Sequence, residues 1–398
     1  MSITKDQIQK LSADFFAEIR DIRRHIHQHP ELSFHEFETS SFLREKLSGY
    51  NIPFRDGYVK TGIVGRIEGH NPRKKVIALR ADMDALPIQE QNDIDYNSQK
   101  EGVMHACGHD VHTASLLGTA KILNTLKDQF EGTVLLLFQP AEEKLPGGAK
   151  LMLEEGALAD PKPDIVIGQH VMPGMETGKV GFRPGMYMAS TDELYLTIKG
   201  KGGHAAMPDQ ITDTVLIASH IIVALQQISS RQAQASVPTV LSFGKVIANG
   251  ATNIIPPEVR IEGTFRTMDE KWRKEAHHKI RKIAGSIAEG MGGSCEVHIE
   301  HGYPFLVNDE SITARAIQYA GDYLGKQQVE QLELRMTAED FAYYSQAFPA
   351  TFYRLGVTDK KRILDSPLHS PTFNIDEDAI KTGMGTMAWI AISFLNEG

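Results

Sequence analysis

Short apolar runs alternate along the first half of the chain with segments whose apolar residues recur at helical spacing. The runs at 76–79, 133–138 and 165–168 are continuous and apolar, as strands buried on both faces usually are. An amphipathic pattern covers residues 5–29, and another apolar face recurs over residues 116–126, which predicts a helix at each place. Buried strands alternating with helices predict an α/β fold with a mostly parallel sheet and helices on both faces.

A different pattern begins near residue 187, where apolar and polar residues alternate as in half-exposed strands, first over 194–199. The elements predicted after it are a helix, two strands, a second helix and a last strand, at 215–225, 240–247, 259–265, 276–287 and 295–299. This β-α-β-β-α-β order is that of the ferredoxin-like motif. We therefore predict a ferredoxin-like α+β domain at 187–301, inserted into a first domain formed by 1–186 and 302–398.

Length and composition restrict the class of protein further. The 398 residues are enough for two domains, and the net charge of -9 comes without a block of like charge, so a nucleic-acid partner is not expected. The longest aliphatic run, at 134–138, is far too short to cross a membrane. Residues 1–11 lack the apolar core of a secretory signal, and two cysteines do not make a disulfide scaffold, so a cytoplasmic protein is expected.

The residues that follow the three apolar runs carry side chains suited to catalysis. In open α/β sheets, ligands bind beyond the carboxyl ends of the strands. Asp82 and Asp84 follow the first run, Glu142 and Glu143 follow the second, and His170 follows the third. These side chains are therefore expected to converge on one edge of the sheet.

Two short motifs supply chemistry of this kind, and each also has a plain structural interpretation. Cys107 and His109, two residues apart before a helix, can place two metal-binding atoms on one side of a turn. A buried structural cysteine beside a solvated histidine explains the same motif equally well. The adjacent pair Glu142 and Glu143 is by itself most often a solvated turn. At a strand end, however, one carboxylate can bind metal while its neighbour takes a proton from water.

The combined set of donors favours a metal site over these structural alternatives. His170 and His369, taken singly, are more often structural or exposed than ligands. Cysteine, histidine and glutamate together supply the mixed sulfur, nitrogen and oxygen donors of a zinc-type site. Five donors exceed a tetrahedral structural site, so two metal ions that share a water are expected. Other histidines are left outside the ligand set, and His277 and His278, on a predicted helix, are expected to be solvated.

The joint order of these motifs resembles that of the zinc aminoacylase and carboxypeptidase family, which includes acetylornithine deacetylase. The most similar branch contains hippurate hydrolases, bacterial N-acyl-amino-acid amidohydrolases and plant auxin-conjugate hydrolases. The resemblance covers nearly the whole chain, through motifs at 29–32, 80–87, 105–110, 139–143, 147–149, 203–206, 252–256, 338–341 and 368–371.

The resemblance implies a role for each matching residue. The positions that match the family's metal ligands are Cys107, His109, Glu143, His170 and His369. Glu142 matches the general base, and Asp84 matches the acidic residue that orients a ligand. His204 matches a lid histidine that often reaches the partner subunit's active site, where it would stabilise an oxyanion. Asn253 and Arg266 resemble lid residues that contact the substrate.

The resemblance also implies an activity, cofactors and partners. The expected reaction is cleavage of the amide bond of N-acyl amino acids by a hydroxide held at two divalent ions, zinc or manganese, with cobalt or nickel also suitable. Dipeptidase or carboxypeptidase activity on small peptides is the alternative, and a cysteine-nucleophile hydrolase using Cys107 is a more remote one. The inserted domain is then a lid through which a homodimer forms, and no membrane partner is expected.

Overall fold

The computed structural model describes residues 3–359 and 366–397, and it divides into two compact units. The main unit comprises Met1–Tyr187, Val307–Leu334 and Asp340–Gly398. The inserted unit comprises Met188–Leu306 and the short segment Arg335–Glu339. That segment lies within the part of the sequence assigned to the first domain, and its contacts place it in the inserted unit instead.

The first helix has the capping residues that a helix start requires. Thr4 Oγ1 accepts the backbone N–H of Gln7, and the Gln7 side chain accepts that of Thr4, so two N–H groups left over at the helix end are satisfied. The α-helices among the described residues are α1 (Lys5–Gln28), α2 (Phe37–Gly49), α3 (His109–Thr125), α4 (Gly148–Glu154), α5 (Thr214–Leu225), α6 (Glu270–Gly290), α7 (Glu310–Leu324), α8 (Ala342–Ala347) and α9 (Ala379–Leu395). In the described part of the chain, none of them combines the length and the hydropathy needed to cross a bilayer.

The strands of both units occur where the chain turns apolar or alternating. Those of the described residues are β1 (Phe54–Tyr58), β2 (Gly62–Glu68), β3 (Val76–Asp82), β4 (Thr133–Gln139), β5 (Ile165–Glu176), β6 (Val180–Phe182), β7 (Gly185–Met188), β8 (Asp192–Lys199), β9 (Gly203–His204), β10 (Thr239–Ile247), β11 (Ile254–Ile255), β12 (Glu258–Thr267), β13 (Ser294–His301), β14 (Leu306–Asn308), β15 (Val329–Gln331) and β16 (Ala350–Thr358).

The main unit is built on a sheet with the strand order β1-β2-β4-β3-β5-β16-β6-β15. Its centre is parallel, because β4, β3, β5 and β16 all run in one direction, while β1 and β2 add antiparallel strands at one edge. Every residue of β3 and β4 is buried, as their continuous apolar runs predict. Ile77, Leu79, Leu136 and Ile167 pack into one core with side chains of α1, α3 and α9. The predicted α/β class is confirmed.

One expectation about the sheet edge is wrong in detail. His170 and Asp82 were expected to follow strands, but β5 continues through His170 to Glu176, and Asp82 is the last residue of β3. The pairing of β5 with β3 ends at the register Arg80↔Gly168, whereas its pairing with β16 continues. His170 therefore lies where β5 has already lost its neighbour on one side. A strand needs only one hydrogen-bonded neighbour to continue, so β5 extends beyond the residue at which it separates from β3.

The inserted unit has the element order predicted for it. Its antiparallel sheet has the strand order β10-β12-β8-β13, and α5 and α6 pack against the sheet in a separate apolar core. Helix α5 follows the first of these strands in the chain, and α6 precedes the last. The ferredoxin-like α+β assignment is confirmed.

The expectation of a solvated histidine pair on α6 is wrong for His277, which is 2% exposed. His277 Nε2 lies 2.7 Å from Oδ2 of Asp192, and the same carboxylate accepts from Arg273 Nε at 2.8 Å. Burial alone would raise the pKa of Asp192, but hydrogen bonds from Arg273 and His277 outweigh it and hold the pKa at about 2. The acidic partner stands 85 residues earlier in the chain, so helical spacing carried no trace of it.

Candidate metal centre

The side chains expected to bind metal come from separate places in the main unit. Cys107 precedes α3 and His109 is its first residue, Glu143 follows β4, His170 lies within β5, and His369 precedes α9. Cys107 Sγ is 3.4 Å from His170 Nε2. Glu143 Oε1 is 3.3 Å from His369 Nε2 and 3.9 Å from His109 Nε2. The tertiary structure therefore brings these five donors together.

The donor atoms form overlapping groups of the size that holds a metal ion. Five groups among the described residues have all their ligand atoms within 4.8 Å of one another, and three of them contain the expected ligands: Cys107, His109 and His170; Cys107, Glu143 and His369; and His109, Glu142 and Glu143. Sulfur, nitrogen and oxygen donors are all represented, as in zinc-type sites. Because the groups share members, the arrangement suits two adjacent ions with common ligands.

The hydrogen bonds of His109 and His170 leave one nitrogen of each ring available to an ion. His109 Nδ1 lies 2.9 Å from the carbonyl oxygen of Asp84, and His170 Nδ1 lies 2.7 Å from that of Val171. A carbonyl only accepts, so each ring carries a proton on Nδ1. The Nε2 of His109 is buried without a hydrogen-bond partner among the described residues. A buried imidazole nitrogen left unpaired in this way fits a metal ligand.

The protonation of the cluster reflects its attraction for positive charge. Hydrogen bonds with Cys107 and Glu143 raise the pKa of His369 to about 10. Burial, together with the nearby Glu143 carboxylate, raises the pKa of the Cys107 thiol. Because a ligand must be deprotonated to bind an ion, an ion that binds here displaces protons.

Asp84 connects the histidine side of the cluster to the paired glutamates. Its Oδ1 accepts the backbone N–H of Glu142 at 3.0 Å and lies 3.2 Å from His109 Nδ1, while Oδ2 accepts from Glu143 N at 3.0 Å and from Ser33 Oγ at 2.6 Å. Burial would raise the pKa of Asp84, but these hydrogen bonds prevail and lower it. The carboxylate thus stays ionised and orients both His109 and the turn after β4.

Glu142 is 7% exposed, and a backbone group orients its carboxylate. Its Oε1 accepts the backbone N–H of Asp340 at 3.3 Å. The Asp340 side chain is itself bound by Arg80 Nη2 at 2.7 Å and by the backbone N–H of Ala149 at 2.9 Å. A nearly enclosed carboxylate beside the donor cluster is placed to exchange a proton with a small molecule there.

A buried aspartate–histidine pair, Asp82 and His112, lies next to the donor cluster. Asp82 Oδ1 is 2.6 Å from His112 Nδ1, and His112 Nε2 accepts the backbone N–H of Val171 at 2.9 Å. Both nitrogens of His112 are thus engaged, so it supports the residue next to His170 and is not available to an ion. Arg80 bonds Asp82 at 2.5 Å and was given no role from the sequence. An arginine directly after the apolar run 76–79, inside a buried strand, is the sequence signal that could have identified it.

The remaining expected site residues lie in the inserted unit. His204 pairs with Ile254 between β9 and β11, and the backbone N–H of Ala205 donates to the carbonyl of Asn253 at 3.0 Å, so His204 and Asn253 are neighbours. Arg266, on β12, is half-buried and donates from Nη1 to the carbonyl of Met336 at 3.1 Å. Burial lowers its pKa. No carboxylate pairs with Arg266 among the residues that the structure describes.

Comparison with known proteins identifies the family. The model of Peptidase family M20/M25/M40 matches residues 78–392. An N-acyl-L-amino acid amidohydrolase of Geobacillus stearothermophilus is 42% identical over 306 residues, which are 77% of this chain and 82% of that protein. Thermostable carboxypeptidase 2 of Saccharolobus solfataricus is 38% identical over 399 residues, covering 98% of this chain and 100% of the relative.

A solved structure agrees with these matches. The YxeP protein of Bacillus subtilis, described as a dinuclear metal-binding peptidase of the M20 family, is 35% identical with a TM-score of 0.82, over 96% of this chain and 99% of that one. This chain belongs to peptidase family M20/M25/M40. The family resemblance and the expected class of enzyme, a hydrolase, are confirmed.

Proposed function

We propose that this protein is a binuclear metal-dependent amidohydrolase that cleaves the amide bond of N-acyl amino acids. The observation that carries the proposal concerns the adjacent residues Glu142 and Glu143. The two carboxylate oxygens of Asp84 accept their backbone N–H groups, each at 3.0 Å. One carboxylate of the pair belongs to the cluster of five donors, and its neighbour is oriented beside it. The similarity to an N-acyl-L-amino acid amidohydrolase supports this choice of substrate.

The proposed cofactors are two divalent ions per subunit, held by Cys107, His109, Glu143, His170 and His369. A cysteine thiolate favours a soft ion such as zinc, while the carboxylate and imidazoles also suit manganese, cobalt or nickel. Metal ions at this place would polarise the scissile carbonyl and lower the pKa of an attacking water.

In the proposed reaction, Glu142 is the general base and then the general acid. Its carboxylate takes a proton from the attacking water and later delivers that proton to the nitrogen of the leaving amine. Asp84 keeps the proton of His109 on Nδ1 and so directs Nε2 towards the donor cluster. For the inserted unit the assignment follows the family resemblance: His204 stabilises the oxyanion, and Asn253 and Arg266 bind the substrate. A half-buried guanidinium that pairs with no carboxylate of the described chain suits the α-carboxylate of an amino acid.

We also propose that two copies associate through the inserted unit. Strand β10 is an edge of its sheet, and the exposed apolar residues Leu216, Val223 and Val246 lie on α5 and β10, with Val223 74% exposed. An unpaired sheet edge and exposed apolar side chains on the same unit offer surface that a second copy would cover. Sedimentation should give twice the chain mass of 44.1 kDa. The double variant Leu216→Asp, Val223→Asp should sediment as a single chain, and an unchanged mass would place the dimer contact elsewhere.

The main alternative is carboxypeptidase or dipeptidase activity, because a thermostable carboxypeptidase is 38% identical to this chain, close to the 42% of the N-acyl-L-amino acid amidohydrolase. Both activities use the same hydrolytic groups and differ in whether an acyl group or an amino acid precedes the scissile bond. A cysteine nucleophile is disfavoured by the site itself. Burial raises the pKa of the Cys107 thiol, whereas a nucleophilic cysteine needs a lowered one.

The proposed function is tested by hydrolysis of a panel of N-acyl amino acids and dipeptides, by the purified protein, after chelation, and after zinc or manganese is restored. Chelation should abolish cleavage, and metal should restore it, with N-acyl amino acids ranking above dipeptides. The variant Glu142→Gln should lose about 10²- to 10⁴-fold in kcat and still bind metal. Cleavage that survives complete chelation, or a Glu142→Gln variant with normal kcat, would contradict the proposal.

A further inference from the structure

Glu36 is a completely buried carboxylate close to the donor cluster, and neither the sequence motifs nor the proposed reaction uses it. It occupies the N-cap position of α2, from which a short polar side chain such as that of aspartate usually caps the helix. Glu36 makes no such cap. Glu31 caps α2 instead, with its two oxygens accepting the backbone N–H groups of Glu38 at 3.2 Å and Thr39 at 2.8 Å. The Glu36 carboxylate is therefore free to bind elsewhere.

The Glu36 side chain reaches the turn that follows β4. Its Oε1 accepts the backbone N–H of Ala141 at 2.9 Å and that of Phe34 at 2.9 Å, while Oε2 accepts from Thr61 Oγ1 at 2.9 Å. Ala141 has a φ of +53°, in the left-handed region that a residue with a Cβ rarely adopts. A residue keeps such a conformation only when its surroundings hold it there. The bond from Ala141 to Glu36 is one of those restraints.

Ala141 directly precedes the two glutamates, so three consecutive backbone N–H groups are held by two buried carboxylates. Glu36 takes the N–H of Ala141, and Asp84 takes those of Glu142 and Glu143 at 3.0 Å each. Burial, reinforced by the charge of nearby Asp84, raises the pKa of Glu36 to about 7. Burial and the charge of Asp84 therefore make an ionised Glu36 costly to the folded state, so a purely stabilising role is a poor explanation of the arrangement.

We propose that Glu36 is a positioning residue, whose carboxylate fixes the backbone of Ala141 and thereby aims the general base Glu142 and the ligand Glu143. This inference rests on the proposed function of Glu142 and Glu143. The geometry requires an acceptor at the place of Oε1, and it requires no charge there. A glutamine fills this requirement, because its amide oxygen accepts from Ala141 while its N–H₂ group donates to the hydroxyl of Thr61, which can rotate to accept.

The test compares Glu36→Ala, Glu36→Asp and Glu36→Gln with the wild type. Glu36→Ala removes the acceptor, and the shorter side chain of Glu36→Asp withdraws it from Ala141. Both variants should lower kcat and weaken binding of Mn²⁺ or Zn²⁺ to the folded protein by about 10- to 100-fold, as expected for a residue that orients ligands. Glu36→Gln should stay within about threefold of the wild type in both, since it keeps the acceptor. Metal affinity is measured by competition with a chromophoric chelator, after circular dichroism has shown that each variant is folded. If Glu36→Ala does not fold, Glu36→Asp decides, because it keeps a buried carboxylate that no longer reaches Ala141.

The matched control is Glu31→Ala, which removes a buried carboxylate from the same loop. It should lower the melting temperature through the lost helix cap and leave kcat and metal affinity unchanged. Folded Glu36→Ala and Glu36→Asp variants with wild-type kcat and metal affinity would overturn the inference. Equal losses in Glu31→Ala or in Glu36→Gln would overturn it as well. A wild type that hydrolyses nothing would count against the proposed function, while the comparison of metal affinities would still decide the role of Glu36.

Discussion

The backbone N–H of Glu143 donates to Oδ2 of Asp84 at 3.0 Å, across 59 residues of sequence. The other oxygen of Asp84 accepts the N–H of Glu142 at the same distance. One buried carboxylate thus sets the direction of two neighbouring glutamates. It also contacts His109, so both sides of the donor cluster depend on it.

Replacement of Asp84 by asparagine should damage the metal centre without a large change of shape. Each Asp84 oxygen accepts a backbone N–H, and asparagine turns one of these acceptors into a donor that faces another donor. Metal affinity of Asp84→Asn should fall by about 10- to 100-fold, measured by chelator competition. The variant Asp164→Asn, at an exposed carboxylate on the same unit, serves as the control and should bind metal normally. Unchanged affinity in Asp84→Asn would remove Asp84 from this role.

Replacement of Cys107 by aspartate should change the preferred metal. A thiolate favours zinc over harder ions, whereas a carboxylate suits manganese. We expect Cys107→Asp to retain manganese-supported hydrolysis and to lose zinc affinity by about tenfold or more, in line with the difference in ligand softness. The control is Cys295→Ser, which alters the cysteine of the inserted unit and should leave the ratio of zinc to manganese affinity unchanged. If Cys107→Asp has the same ratio of zinc to manganese affinity as the wild type, Cys107 is not a ligand.

Replacement of Arg266 should weaken binding of the substrate carboxylate. Removal of a bidentate partner from a half-buried position should raise KM of Arg266→Ala by about tenfold or more, since charged hydrogen bonds contribute about 1.5–3 kcal/mol. Arg260 lies on the same strand, is exposed and pairs with Glu258 at 2.7 Å, so Arg260→Ala is the matched control and should keep its KM. The esterified or amidated substrate should lose the effect of Arg266. A KM that does not change in Arg266→Ala would exclude it from the site.

The buried cluster around Asp192 should make stability depend on pH. Its pKa is lowered from 3.8 to about 2, so the stabilising effect is present above pH 4 and is lost as pH falls towards 2. In metal-free protein, Asp192→Asn should lower the free energy of unfolding at pH 7. The difference in free energy of unfolding between the wild type and Asp192→Asn should then decrease by about 2 kcal/mol as pH falls from 5 to 2. Glu262→Gln breaks an exposed ion pair and should show little change. A gap independent of pH would mean that Asp192 is not held ionised by Arg273 and His277.

Much of the fold could be predicted because its patterns are local. The apolar runs at 133–138 and 165–168 predicted β4 and the start of β5, since a strand buried on both faces needs consecutive apolar residues. The order of the elements after residue 187 predicted the ferredoxin-like unit, because half-exposed strands and amphipathic helices also leave a local periodicity in the sequence. The candidate donors were also found locally, because each belongs to a short motif or follows an apolar run of the sequence. Their mutual distances were not accessible in that way.

The relationships that position the site join residues far apart in the chain. Glu36 meets Ala141 across 105 residues, and His277 meets Asp192 across 85. No periodicity of 2 or 3.6 residues reports such a contact, because it depends on how the sheets and helices pack. Local residue patterns were therefore enough to predict which elements form and which side chains are suited to hold metal ions. Long-range packing, visible in the three-dimensional structure alone, establishes which carboxylates are buried, which groups they bind, and that two of them share the turn carrying Glu142 and Glu143.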